Sequence, residues 1–156
     1  MKLFPEKSYV IELNNSDQFL NSLQENSLPR DIFISSYNNQ NFIGEITDSE
    51  FRITLSSRIL SFFCEFQGKI NQNKCLIKTG LHKHAKLFFS LVFIIIIALI
   101  PFSIFYGIKN PILPLLAHLL IIRFIYIELG YRFFLWRGLK KLKKINGVIS
   151  ILPFNF

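Results

Sequence analysis

Apolar residues along the chain follow two different rules, with the change near residue 80. Before it they alternate with polar residues in short runs; beyond it they are almost continuous. Residues 42–54, FIGEITDSEFRIT, align without gaps on residues 66–78, FQGKINQNKCLIK, and Phe42/Phe66, Gly44/Gly68, Ile46/Ile70 and Ile53/Ile77 are identical across an offset of 24. Each copy has an apolar residue at every second position, the period of a strand with one buried face. The copy centres, Thr47-Asp48-Ser49-Glu50 and Asn71-Gln72-Asn73-Lys74, are polar turn formers. Each copy therefore predicts a β-hairpin, and the two are expected to pair as an antiparallel meander. Gly44 and Gly68 should be equivalent structural glycines, leaving room for strand bending or for close approach by a neighbouring chain.

Ahead of the repeat, Ser8–Leu13 reads as a strand. Asn14-Asn15-Ser16 supplies a helix N-cap, with Asp17 in the first turn where a carboxylate suits the helix dipole. That helix is expected to run to about Asn26, burying Phe19, Leu20 and Leu23, with Pro29 ending it. Asp31–Ser35 is a further strand candidate. Residues 1–80 thus predict a small α+β domain, an antiparallel sheet with one helix to cover it. The two hairpins differ in charge: Glu45, Asp48 and Glu50 in the first, Lys69, Lys74 and Lys78 in the second. Opposite charges would pair across the strands; alternatively the basic hairpin turns toward anionic headgroups.

The continuous run Leu87–Tyr106 holds twenty residues without a charge. At ~1.5 Å per residue this is ~30 Å of helix, about the hydrocarbon thickness of a bilayer. A second apolar segment, Pro111–Leu129, carries His118, Arg123 and Glu128, and the connector Gly107–Asn110 is short. Residues 81–130 are therefore expected to form an antiparallel transmembrane hairpin. Lys69, Lys74, Lys78, Lys83 and Lys86 precede it and Arg132, Arg137, Lys140, Lys141, Lys143 and Lys144 follow it, whereas the connector holds only Lys109. Positive charge marks the cytoplasmic side, so both termini are expected there. The N-terminus lacks the apolar core of a secretory signal. A bacterial plasma membrane is the expected location.

Among the intramembrane polar residues, Arg123 is the costliest at roughly 2.5–3.5 kcal/mol for a mid-bilayer charge. Its long side chain is expected to snorkel toward the basic end, with an ion pair as the alternative. Glu128 stands one turn before Arg132, an i,i+4 pair. His118 is read as a neutral imidazole bonded to a backbone carbonyl or to Ser90 or Ser103. Pro101 and Pro114 are expected inside the two helices, where such residues mark kinks.

Residues 131–156 are read as a basic aromatic interfacial helix and a tail. Tyr131 and Trp136 suit the aromatic belt, and the six basic residues of 132–144 suit anionic lipid at ~1 kcal/mol each. Lys83 and Lys86 would touch the same interface. The expected partner is thus a bilayer with anionic headgroups, with a second copy or another protein also open. Nucleic acid is disfavoured, because the charges follow a span and are interleaved with large apolar residues. Val148–Phe156 is read as a last strand returning to the sheet's edge.

The run Phe42-x-Gly44-x-Ile46, Phe51-x-Ile53, Phe62/Phe63, Gly68-x-Ile70 and Gly80-Leu81-His82, entering a Phe/Ile-rich helix, resembles uncharacterised small bacterial membrane proteins. The resemblance covers residues 40–130 and implies a glycine-punctuated β segment, a Leu-His step into the first span and a glutamate near the end of the second, where Glu128 falls. Lys83 stands where such proteins tend to have proline. It implies no activity.

The chain's net charge is +8 and its apolar fraction 51%. It has no Gly-rich phosphate loop, no nucleophile elbow and no paired carboxylates bracketing a cleft, so no enzyme and no cofactor is expected. His82 and His84 have no third ligand at metal spacing. Cys64 and Cys75 are expected as reduced, half-buried fillers. Two functional classes follow: a two-span membrane-anchored binding or scaffolding protein presenting a small cytosolic β-rich domain, or a membrane-perturbing effector of the defence or toxin type, whose soluble domain controls oligomerisation of the hairpin.

Overall fold

The computed structural model describes residues 3–29, 41–56, 63–105 and 112–154, without the side chains of 102–104. The strand expected at Asp31–Ser35, the connector Gly107–Asn110, Phe62 and the Ser103 side chain lie outside these residues. The fold is α+β, with two helices long and apolar enough to cross a membrane. Strand β1 (Glu6–Leu13) leads to helix α1 (Ser16–Glu25) and a two-residue strand β2 (Ser27–Leu28). The repeat supplies β3 (Phe42–Ile46), β4 (Glu50–Leu55), β5 (Glu65–Asn71) and β6 (Lys74–Gly80). Then come α2 (Lys83–Phe105) and a long helical body made of α3 (Ile112–Ile121), a π-helical segment (Ile122–Leu129) and α4 (Gly130–Leu142), and last β7 (Val148–Phe154).

The seven strands form one sheet in the order β2-β3-β4-β5-β6-β1-β7. All neighbours are antiparallel except β2 and β3. Both repeat copies are hairpins, and β4 joins them. Gly44 pairs with Ile53 and Gly68 with Ile77, the same position in each copy. A Cβ on Gly68 would fall 2.2 Å from the Phe51 ring, and one on Gly44 2.0 Å from the Arg52 carbonyl oxygen. Both glycines thus allow a neighbour's close approach. The opposite charges of the hairpins meet where Glu50 faces Lys69, at 2.6 Å.

Helix α1 starts at Asn15, whose Oδ1 accepts from the backbone N–H of Asp17 (2.9 Å) and of Gln18 (3.1 Å). This satisfies two donors that the first turn leaves without a carbonyl. Phe19 and Leu23 are buried and Leu20 is only half-buried.

One sheet face is closed by two helices rather than one. Phe19 and Leu23 of α1 and Tyr131, Leu135 and Leu142 of α4 share a single core with Ile11, Phe42, Phe51, Ile53, Phe66 and Ile77. Residues 131–154 therefore pack with residues 6–80, and the expected boundary at 131 does not separate two bodies. The amphipathic spacing that suggested a lipid-facing helix is satisfied by the sheet: Tyr131, Leu135, Gly138 and Leu142 form one helix stripe, all buried. Tyr131, expected in the aromatic belt, lies wholly in this core, where its hydroxyl is 2.7 Å from Thr79 Oγ1. Strand β7 closes the edge against β1, as its alternation suggested.

A second small core of Leu81, Ala85, Phe89 and Ile127, with Phe63, Phe93 and Ile122 beside it, ties the start of α2 to the π segment. The two apolar helices thus leave the domain side by side. Farther out their side chains are bare: Phe105 is 86% and Leu113 74% exposed. Pro101 stands inside α2. Pro114 is the third described residue of α3.

Candidate binding groove on the open sheet face

Among the described residues no helix covers the sheet face opposite α1 and α4, and strand register fixes what that face displays. One row across it reads Phe154, Ser8, Lys78, Gln67, Arg52 and Glu45. The next row toward α2 reads Glu6, Gly80, Glu65 and Thr54. Between these rows and the first turn of α2 lies a groove of ≈ 790 Å³, with Lys83 and Lys86 on its helical side and Pro153 and Phe154 on its β7 side. That volume lies within the usual range for small-molecule sites, ~300–1,000 Å³.

Glu65 anchors the floor. Its carboxylate accepts two hydrogen bonds from the Arg52 guanidinium, one to Nε and one to Nη2 at 3.1 Å, and a third from Gln67 Nε2 at 3.3 Å. Burial pushes its pKa up, but the bond and charge of Arg52, helped by His82 and Gln67, outweigh it and hold the carboxyl below its usual value. At the rim, Lys86 Nζ pairs with Glu6 at 3.2 Å. Among the described residues Lys78 and Lys83, which also line the groove, make no ion pair. Lys7 borders the groove through its strand but pairs in register with Thr79, on the face turned to α4. Four cations therefore surround two carboxylates, and both carboxylates are already paired.

Gly80 matters by having no side chain. A Cβ there would meet only Glu6 Cγ at 3.5 Å and the Pro5 carbonyl oxygen at 3.9 Å, both ordinary contacts. The hollow is open above it.

The polar residues expected inside the membrane are satisfied along their own helix. Arg123 Nη1 donates to Glu128 Oε2 at 3.2 Å, and Arg132 Nε donates to Glu128 Oε1 at 2.8 Å. Arg123 thus points toward the basic end of the helix and ends on a carboxylate there. His118 Nδ1 lies 2.7 Å from the Pro114 carbonyl oxygen, the backbone bond its position suggested. On α4, Trp136, Arg137 and Lys140 are exposed and Lys141 is half-buried, and Lys143 and Lys144, just past its end, are exposed too. Arg137 stacks over Phe133 (5.1 Å) and Lys140 over Trp136 (5.3 Å). The His82 and His84 rings are 5.1 Å apart, and among the described residues no group of His, Cys, Asp or Glu is arranged to hold a metal. Both cysteines are free and fully buried rather than half-buried.

Arg52 and Glu65 were not singled out by the sequence, and Gly80 only as part of the Gly80-Leu81-His82 step into α2. Their signal is the polar half of the same alternation that located the strands: Arg52, Gln67 and Lys78 occupy the even positions between buried odd ones or the reverse, and register then aligns them. No family model matches the chain, and no curated protein or solved structure proves similar to it.

Proposed function

We propose that this chain is a membrane-anchored binding protein, with α2 and residues 112–129 as two spans and the sheet domain on the side of both termini, at the cytoplasmic face of a bacterial plasma membrane. One observation carries the reading: among the described residues, a sheet closed on one face and open on the other stands at the foot of two helices whose outer apolar side chains nothing covers. In water that exposure is unfavourable at ~25 cal/mol per Å²; in lipid it is not. The outward face of α4, with Trp136 and its lysines, would lie near anionic headgroups, and the groove would be the ligand-bearing surface.

The effector reading leaned on two kinks and on polar groups in search of partners. His118, Arg123 and Glu128 find partners within their own helix. These features favour an anchor over a hairpin that must assemble.

Carbonate washing of membranes from expressing cells tests the anchor; the protein should remain in the pellet, with a reporter fused after Phe156 active on the cytoplasmic side. Release into the supernatant, or a reporter active only outside, would overturn the reading. Induced expression separates the classes: unaffected growth is expected, whereas rapid depolarisation that disappears in Arg123→Leu would establish the effector.

A further inference from the structure

We infer that the groove binds a phosphate-bearing anion, held between Lys78 on the sheet and Lys83 at the start of α2. This deepens the binding-protein reading and rests on it. Three observations carry the inference. Charge is the first: with Glu65 held by Arg52 and Glu6 by Lys86, the ammonium groups of Lys78 and Lys83 are left in excess around one hollow. Lysines act on phosphate as point charges and do not need the planar fork that carboxylates favour.

The sign of the charge at the helix start is the second. The first turn of α2 contains no acidic residue and carries Lys83 and Lys86 instead. Cations at the positive end of a helix dipole are unfavourable, by roughly 0.3–1 kcal/mol each where exposed. An anion in the groove, facing both the lysines and that helix end, reverses the sign.

Shape is the third. Gly80 removes the side chain that would otherwise fill the floor, although its conformation does not require glycine and its Cβ position is free of clashes. The groove has polar walls at Ser8 and Gln67 and an apolar end at Pro153 and Phe154. Lys83 lies four residues before the uncharged run begins at Leu87, about 6 Å along the helix, which is headgroup depth. A phospholipid headgroup and a soluble phosphate ester both supply this chemistry.

The test uses the full-length protein in an uncharged maltoside detergent. Thermal unfolding is followed with inorganic pyrophosphate, with short-chain phosphatidylglycerol, or with sodium chloride at matched ionic strength. Saturating ligand should raise the midpoint by about 5 °C or more. A rise with pyrophosphate identifies free phosphate as sufficient, and a rise with the lipid alone identifies the headgroup. The Lys78→Gln/Lys83→Gln double variant should lose the rise. So should Gly80→Val, which fills the hollow without a backbone clash and should keep the ligand-free midpoint. The inference is overturned if neither phosphate compound acts beyond chloride, or if both variants respond as the parent does. A protein that stays in carbonate-washed membranes yet shows no shift loses the ligand and keeps the anchor; one that is washed out loses both.

Discussion

Arg123 and Glu128 meet at 3.2 Å although they stand five positions apart in the sequence. On an α-helix, residues i and i+5 point about 140° apart. The segment between them is π-helical, with i→i+5 backbone bonds, and this wider winding carries Glu128 back beneath Arg123. Arg132 approaches the same carboxylate from the following turn. One glutamate thus serves two arginines, and loss of each partner should have a different consequence. Arg123→Leu leaves Glu128 still paired with Arg132, whereas Glu128→Leu strands both cations. Glu128→Leu should therefore lower stability more, by about 2–3 kcal/mol, and the double Arg123→Leu/Glu128→Leu variant should recover part of that loss. Thermal unfolding of the four proteins in lipid nanodiscs gives the cycle; equal effects of the two single changes would contradict the shared-carboxylate arrangement.

The join between α4 and the sheet depends on Gly138. A Cβ there would stand 2.1 Å from the Phe66 ring, so α4 rests directly on that phenylalanine. Gly138→Ala should destabilise by about 1–3 kcal/mol through overpacking, even though alanine is the better helix former. Combining it with Phe66→Leu should restore part of the loss. Denaturant unfolding checks both, and a stabilised Gly138→Ala would show that helix propensity outweighs the contact.

Glu65 provides a pH signature. Its folded pKa lies below the ordinary value of 4.5, with the opposing push of burial overcome by Arg52. A depressed carboxyl stabilises the fold above the unfolded pKa, and that contribution fades as pH falls through the folded value. Stability should accordingly drop below about pH 4.5. Glu65→Gln should lower stability at neutral pH and flatten that acid limb. Midpoints measured from about pH 3 to 7 would count against the pair if parent and variant ran parallel throughout.

Strand existence was legible because each repeat copy is amphipathic at period two and its turn is polar. Gly44 and Gly68 fell into register because one offset relates both copies. The role of α4 was not legible, since a stripe such as Tyr131, Leu135 and Leu142 fits lipid and sheet equally well and only tertiary packing decides. Strand β2 escaped notice for a related reason: two residues, Ser27 and Leu28, have no periodicity. The groove was half visible. Polar positions opposite the apolar ones implied an open face, but Arg52, Glu65 and Lys78 come from three strands, and their convergence depends on register and twist.

The cysteines give a test of the closed face. Cys64 and Cys75 are fully buried, and burial raises both thiols, Cys75 to about 12, with the charge of Glu65 adding to the effect on Cys64. The thiolate is the reactive form, and at neutral pH almost none is present. Neither sulfur should react with a maleimide or an aromatic disulfide reagent in the native protein at pH 7.5, roughly a unit below a free thiol's pKa, and both should react on unfolding. Because Cys75 sits beneath the α1–α4 layer with Ile11 and Ile77, destabilising that layer with Gly138→Ala should accelerate labelling in proportion to the stability lost, about tenfold per 1.4 kcal/mol when reclosing outpaces the reagent. Immediate labelling of the parent protein would mean that the face is open and that α4 does not cover the sheet.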